Sequence, residues 1–215
     1  MNNASEFLTN VSIWALPTIF AIILHEVMHG FVALRFGDDT ALRAGRLTLN
    51  PLSHIDLFGT IIMPAMLLFL HLPVFGYAKP VPVNFNCLRN PRFGMLLVAA
   101  AGPGTNIALA ILSALAMRVV AGFVTAPWGP SIAVPLYLML QASVWINIVL
   151  AVFNFLPLLP LDGGRVLYAL LPQTAARAYA RLEPFGFLIL LVLLYTDSVE
   201  RVINPIISAI ARVLL

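Results

Sequence analysis

The sequence predicts an all-α polytopic membrane protein with about four to six transmembrane helices, a short membrane-associated β-strand or hairpin, and one re-entrant segment. Three observations lead there. Of the 215 residues, 61% are hydrophobic and only 10% are charged, whereas a water-soluble domain of this length carries roughly a quarter charged residues. The mean hydropathy is +0.97. The apolar residues are also gathered into runs near the roughly 20 residues that cross a bilayer as helix. The simplest organisation is one membrane-embedded domain over residues 1–215, with its core over about 11–170 and a C-terminal hydrophobic hairpin over about 185–215.

Val11 to Ala33 is the first run of spanning length, and it carries one polar cluster, Leu24-His25-Glu26-Val27-Met28-His29. The preceding MNNASEFLTN lacks the basic start and small-residue cleavage site of a signal peptide, so this run is expected to stay in the mature protein. Arg35 to Asp56 is polar. Its middle, Ala44-Gly45-Arg46-Leu47-Thr48-Leu49, alternates like a strand before Asn50-Pro51 stops it, and such an edge would accept an unwound peptide by main-chain pairing. Leu57 to Val74 is apolar but interrupted by Gly59, Pro64 and Pro73, and the prolines and asparagines of Gly76 to Pro91 indicate an extended loop. Phe93 to Phe123 and Ile132 to Leu156 are two further spans, the first containing Gly102-Pro103-Gly104, which permits a kink or close helix approach. Pro157 to Gly164 cannot be regular helix, and helix resumes at Arg165. Arg177 to Glu183 is amphipathic and interfacial. Phe185 to Tyr195 and Val202 to Leu215 are each short for a span, so they form a hairpin or the first is lengthened by the helix before it.

The positive charges give an orientation. Arg35, Arg43 and Arg46, then Lys79, Arg89 and Arg92, then Arg165, Arg177 and Arg181 mark three segments expected on the cytoplasmic side, while the N-terminal tail and Val124 to Ser131 hold no Lys or Arg. Leu57 to Val74 then has both ends on one side, so it is expected to enter the membrane and return. The net charge of +3 includes no basic run with interleaved aromatics, which argues against a nucleic-acid partner. The single Cys87 cannot form an internal disulfide and gives no sign of an oxidising compartment.

His25 and His29 are four residues apart, so on a helix both imidazoles share a face and reach one metal ion. Glu26 beside them is placed to take a proton from water and deliver it to a leaving amine, and a zinc ion makes such a water ionise near neutral pH without any Ser or Cys nucleophile. Three ionisable residues within an apolar span are costly and normally functional, which weighs against a chance polar face. A catalytic zinc needs a third protein ligand, and Asp162 is the best candidate: it is acidic, ends an uncharged span, and sits in irregular backbone tolerated at membrane depth only beside a polar cavity. Helix capping is its alternative role, and one carboxylate can serve both. His54 is a possible second shell, substrate-contacting or interfacial histidine, out of register with the His25/His29 pair; His71 reads as interfacial.

His25-Glu26-Val27-Met28-His29-Gly30 in the first span and Asn154-Phe155-Leu156-Pro157-Leu158-Leu159-Pro160-Leu161-Asp162-Gly163-Gly164-Arg165 in a later one resemble the site-2 proteases, intramembrane zinc metalloproteases, in particular compact bacterial members without a PDZ domain. Gly45 to Pro51, Ala78 to Asn84 and Ala101 to Asn106 add to the resemblance, which covers about residues 20–170. It implies one zinc ion per chain held by His25, His29 and Asp162, with Glu26 as general base. It also implies Asn147 or Asn154 as a polar neighbour that binds substrate backbone or an oxyanion, an interhelical hydrogen bond being the alternative. The expected partners are a transmembrane protein substrate and the lipid bilayer. The expected location is the bacterial inner membrane, with the site toward its cytoplasmic half. Two other functions remain open at this stage: a metal-ion transporter, for which Glu26 would be dispensable, and a catalytically inactive protein that holds membrane helices.

Overall fold

The computed structural model describes residues 3–71 and 76–215. The chain begins with a long helix, α1 (Asn3–Arg35), followed by a single turn, α2 (Thr40–Arg43). A π-helical stretch, Leu57–Ile62, leads into the short α3 (Met63–Phe69). Then come α4 (Pro91–Ala121), α5 (Val134–Asn154) after a π turn at Gly129–Ala133, α6 (Asp162–Leu170), α7 (Gln173–Ala180), α8 (Gly186–Tyr195) and α9 (Ser198–Leu214).

Among the described residues, four helical segments are long and apolar enough to cross a membrane: Val11–Arg35, Pro91–Ala121, Gly129–Asn154 and Gln173–Tyr195. The last joins α7 and α8, so the short apolar run at Phe185 is lengthened by the helix before it. Lipid tails offer helices no hydrophobic drive to associate, so close backbone approach through small residues takes its place. Buried Ala110 and Ala114 on α4 and Ala142 and Ala151 on α5 supply that approach. α4 is the hub, packing on α1, α5 and α6, and the largest core cluster joins α4 and α5 to Leu190, Ile203 and Ile207 of α8 and α9. On the outer side of α4, Leu112 and Val119 are exposed, as suits a surface solvated by lipid.

Helix resumes at Asp162, three residues ahead of the expected Arg165, so Gly163 and Gly164 are helical; two further expectations fail. Among the described residues there is no β-strand. Arg43 to Asn50 is instead a helix end. Gly45 has a φ of +64°, its N–H bonds the Leu42 carbonyl at 3.0 Å, and the Arg46 N–H bonds the Ala41 carbonyl at 3.0 Å. This pair of bonds is a Schellman closure of α2, so the glycine that seemed to open a strand terminates a helix. The edge expected to receive a peptide is therefore missing there. The re-entrant segment is not supported either: Leu57–Phe69 is an apolar helix too short to span, and the end of that expected segment, residues 72–74, lies outside the described residues.

Residues 76–84 are neither helix nor strand, and the backbone is strapped to neighbouring elements at residues 77, 79, 81 and 84. The Tyr77 N–H bonds the Gly59 carbonyl at 3.1 Å and the Lys79 N–H bonds the His54 carbonyl at 2.9 Å. The Arg46 guanidinium donates to the Lys79 carbonyl at 2.7 Å. Beyond them, the Val81 N–H donates to Glu26 Oε2 at 2.9 Å and the Asn84 N–H to Asp38 Oδ2 at 2.6 Å.

Candidate metal centre

One turn of α1 stacks the His25 ring on that of His29, centroids 4.7 Å apart and nearly perpendicular. Their outer nitrogens are already committed. His29 Nδ1 lies 2.7 Å from the Val98 carbonyl, which can only accept, so Nδ1 carries the proton. His25 Nδ1 lies 2.6 Å from Asn106 Oδ1. The orientation of that amide is set by its nitrogen, which donates to the Ala21 carbonyl at 3.3 Å and to Asn147 Oδ1 at 2.8 Å; hence His25 Nδ1 also donates. In a neutral imidazole with its proton on Nδ1, Nε2 is the lone pair, and the two Nε2 atoms face each other at 3.1 Å.

Asp162 closes the triangle. The first turn of α6 brings its Oδ2 to 3.1 Å from His25 Nε2 and 3.3 Å from His29 Nε2. Gly163 permits this, because a side-chain carbon there would run into the Phe155 carbonyl. Asp162 Oδ2 is buried and has no hydrogen-bond donor. Three electron pairs converging without a proton between them repel one another, and a cation among them reverses the sign. The donor set fits zinc: two imidazole nitrogens and a carboxylate, at separations near the roughly 3.3 Å edge of a tetrahedron with 2.0–2.1 Å bonds. The three residues form the His/Cys/Asp/Glu group with ligand spacing found among the described residues.

Glu26 points into the same cavity, of about 780 Å³, which His25, His29, Asp162, Asn154 and Arg165 also line. The bond from the Val81 N–H fixes one carboxylate oxygen of Glu26. Arg165 stands at the wall with its guanidinium over the Phe85 ring and 3.4 Å from Glu183. Asn154 donates to the Leu150 carbonyl at 2.9 Å, which uses one of its two amide protons.

Two expected residues lie elsewhere. Asn147 is 1% exposed and is not in the cavity wall; its amide donates to the Ser143 carbonyl at 2.8 Å. His54 is buried under the strap, with its Nε2 donating to the Thr48 carbonyl at 2.9 Å. Two residues of the Ala101 to Asn106 stretch, neither of them among the expected site residues, stand against the imidazoles: Asn106, fully buried, and Gly102, whose missing side chain leaves room for both rings. The available signal for Asn106 was a lone amide in an apolar span, which seeks a partner.

At the far end of the strap, outside the spans, Asp38 is 1% exposed. Burial pushes its carboxyl up, but hydrogen bonds from the Thr40 hydroxyl and from the Asn84 and Thr40 backbone N–H groups outweigh this and hold it below the ordinary carboxylate value.

Comparison with known proteins gives a consistent set. Residues 14–196 match Peptidase family M50. The chain is similar to the "Putative zinc metalloprotease YwhC" of Bacillus subtilis (strain 168), 38% identical over 201 residues that make up 89% of this chain and 84% of that one. It is similar to the "Putative zinc metalloprotease Rip2" of Mycolicibacterium smegmatis, 32% identical over 85% of this chain and 66% of that one. The Rip2 of Mycobacterium tuberculosis (strain ATCC 25618 / H37Rv) is 31% identical with the same coverage. The chain thus spans just under two thirds of the mycobacterial relatives. No solved structure matches it.

Proposed function

The chain belongs to peptidase family M50, and from this premise we infer that it is an integral-membrane zinc metalloprotease whose substrates are membrane proteins cut within or beside the bilayer. His25, His29 and Asp162 hold the zinc ion. The observation that carries this is the convergence of His25 Nε2, His29 Nε2 and the buried Asp162 Oδ2 to within 3.3 Å of one another, with the outer nitrogen of each imidazole engaged elsewhere. Zinc there supplies Lewis acidity, making water nucleophilic near neutral pH and polarising the scissile carbonyl.

The chain's own groups do the rest. Glu26 is the general base. With one oxygen held by the Val81 N–H, its other oxygen accepts the proton of the attacking water and passes it to the leaving amine. The remaining amide proton of Asn154 is available to a substrate carbonyl or a developing oxyanion in the same cavity. A substrate helix hides its carbonyls in its own hydrogen bonds, so it must be locally unwound before it fits. The metal-transporter and inactive-binder readings are not favoured, since the family and its named relatives are proteases.

The charge distribution supports an orientation with the site in the cytoplasmic half of a bacterial cell membrane. α1 and α5 then run from outside to inside, and His29 lies six residues before Arg35, about 9 Å along the helix. Cysteine labelling should reach positions 40 and 84 from the cytoplasmic face and position 125 from the other; outside labelling at position 84 would refute the orientation. The activity itself is tested by incubating purified, zinc-loaded protein with a transmembrane peptide. Cleavage that stops on chelation and returns with zinc is expected, and cleavage indifferent to chelator would overturn the reading.

A further inference from the structure

The outer nitrogen of His25 is held by a chain of buried amides that crosses three helices. From His25 Nδ1 the chain runs to Asn106 Oδ1 at 2.6 Å, from Asn106 Nδ2 to Asn147 Oδ1 at 2.8 Å, and from Asn147 Nδ2 to the Ser143 carbonyl at 2.8 Å and the Ser143 hydroxyl at 3.2 Å. Ser143 in turn lies 2.8 Å from Ser113 across the α4–α5 contact. Asn106 and Asn147 are 0% and 1% exposed, and neither touches the cavity.

This chain has a direction. Asn147 receives the Asn106 amide nitrogen, which obliges Asn106 to turn its oxygen toward His25, and that oxygen in turn obliges His25 to carry its proton on Nδ1. A proton on Nδ1 leaves Nε2 as the lone pair that meets His29 and Asp162. His29 gets the same result from the Val98 carbonyl, which belongs to the backbone and cannot be inverted. His25 depends on a side chain that can.

We propose that Asn106, braced by Asn147, is the positioning residue that fixes the tautomer and rotation of His25 and so sets the affinity of the site for zinc. The proposal rests on the assignment of His25 as a zinc ligand. Asn147 is then neither a substrate contact nor a simple interhelical tie; it holds the amide that holds the ligand. Groups that orient a metal-bound histidine commonly govern metal affinity by about 10–100-fold.

The test is zinc affinity, measured by competition with a chromophoric chelator on detergent-purified, monodisperse protein. Asn106→Leu keeps the apolar volume and removes the acceptor, and affinity should fall about 10–100-fold. Asn106→Asp keeps an acceptor for His25 Nδ1, so the loss should be less than about tenfold. A purely structural role predicts the opposite order, because a buried carboxylate disturbs a membrane bundle more than leucine does. Wild-type affinity in Asn106→Leu, or weaker binding in Asn106→Asp than in Asn106→Leu, overturns the proposal. His25→Ala is the control: undiminished zinc in that variant would mean that the ligand assignment is wrong, and the inference would fall with it.

Discussion

Gly102 of α4 lies against the imidazole of His29 so closely that a single side-chain carbon at Gly102 would overlap Nε2, the atom that faces the metal centre, and would crowd His25 as well. The two spanning helices meet at the site itself, and glycine is what the rings need there. Gly102→Ala should therefore lower zinc affinity by at least about tenfold, comparable to losing an orienting group, and lower turnover with it. Gly104, two residues on, has open space where its side chain would be, so Gly104→Ala should bind zinc as the wild type does. Metal titration of both variants decides it; equal affinities would show that the helices yield at no cost to the site.

Glu26→Gln keeps the shape of the side chain, and its amide oxygen can still accept from the Val81 N–H. What it loses is the ability to take a proton. The variant should keep its zinc and lose about 10²–10⁴-fold in peptide cleavage. Paired zinc analysis and turnover give the answer, and near-normal turnover would remove Glu26 from the role of base.

The bond between Asp38 and the Asn84 N–H anchors the strap whose middle holds Glu26. Because the Asp38 carboxyl is held below its ordinary value of 3.8, its ionised form stabilises the fold above that value, and the contribution fades as pH falls through the depressed one. Asp38→Asn should be less stable than the wild type at neutral pH, and the gap should narrow as pH drops below 3.8. Thermal unfolding in detergent across that range measures it; a gap that stays constant would mean the carboxylate charge is not what anchors the strap.

Both chemical motifs were legible in the sequence because each is written in local spacing. The spacing of four from His25 to His29 defines one helix face, and the prolines at 157 and 160 break the span just before Asp162. Three of the four spans were legible from length and hydropathy; the fourth, Gln173–Tyr195, was left open between a hairpin and a run lengthened by the helix before it. Gly45 was misread because alternation over six residues does not distinguish a strand from the closure of a one-turn helix, and only the φ angle and the Arg46-to-Ala41 bond separate them. Asn106 and Gly102 were invisible as site residues for another reason: each matters through a residue far away in sequence, and nothing in local pattern says that α4 meets α1 at the imidazoles. Asn147 was noticed for its polarity, but polarity alone cannot tell a cavity wall from the interior of a helix contact.

Whether His25, His29 and Asp162 together hold one zinc ion is decided by the zinc content of the purified wild-type protein beside His25→Ala, His29→Ala and Asp162→Ala after dialysis against the same weak chelator. About one zinc per wild-type chain and a large loss in each of the three variants, Asp162→Ala included, are expected, because each variant removes one of three protein donors. A full complement of zinc in any one of them would contradict that ligand set.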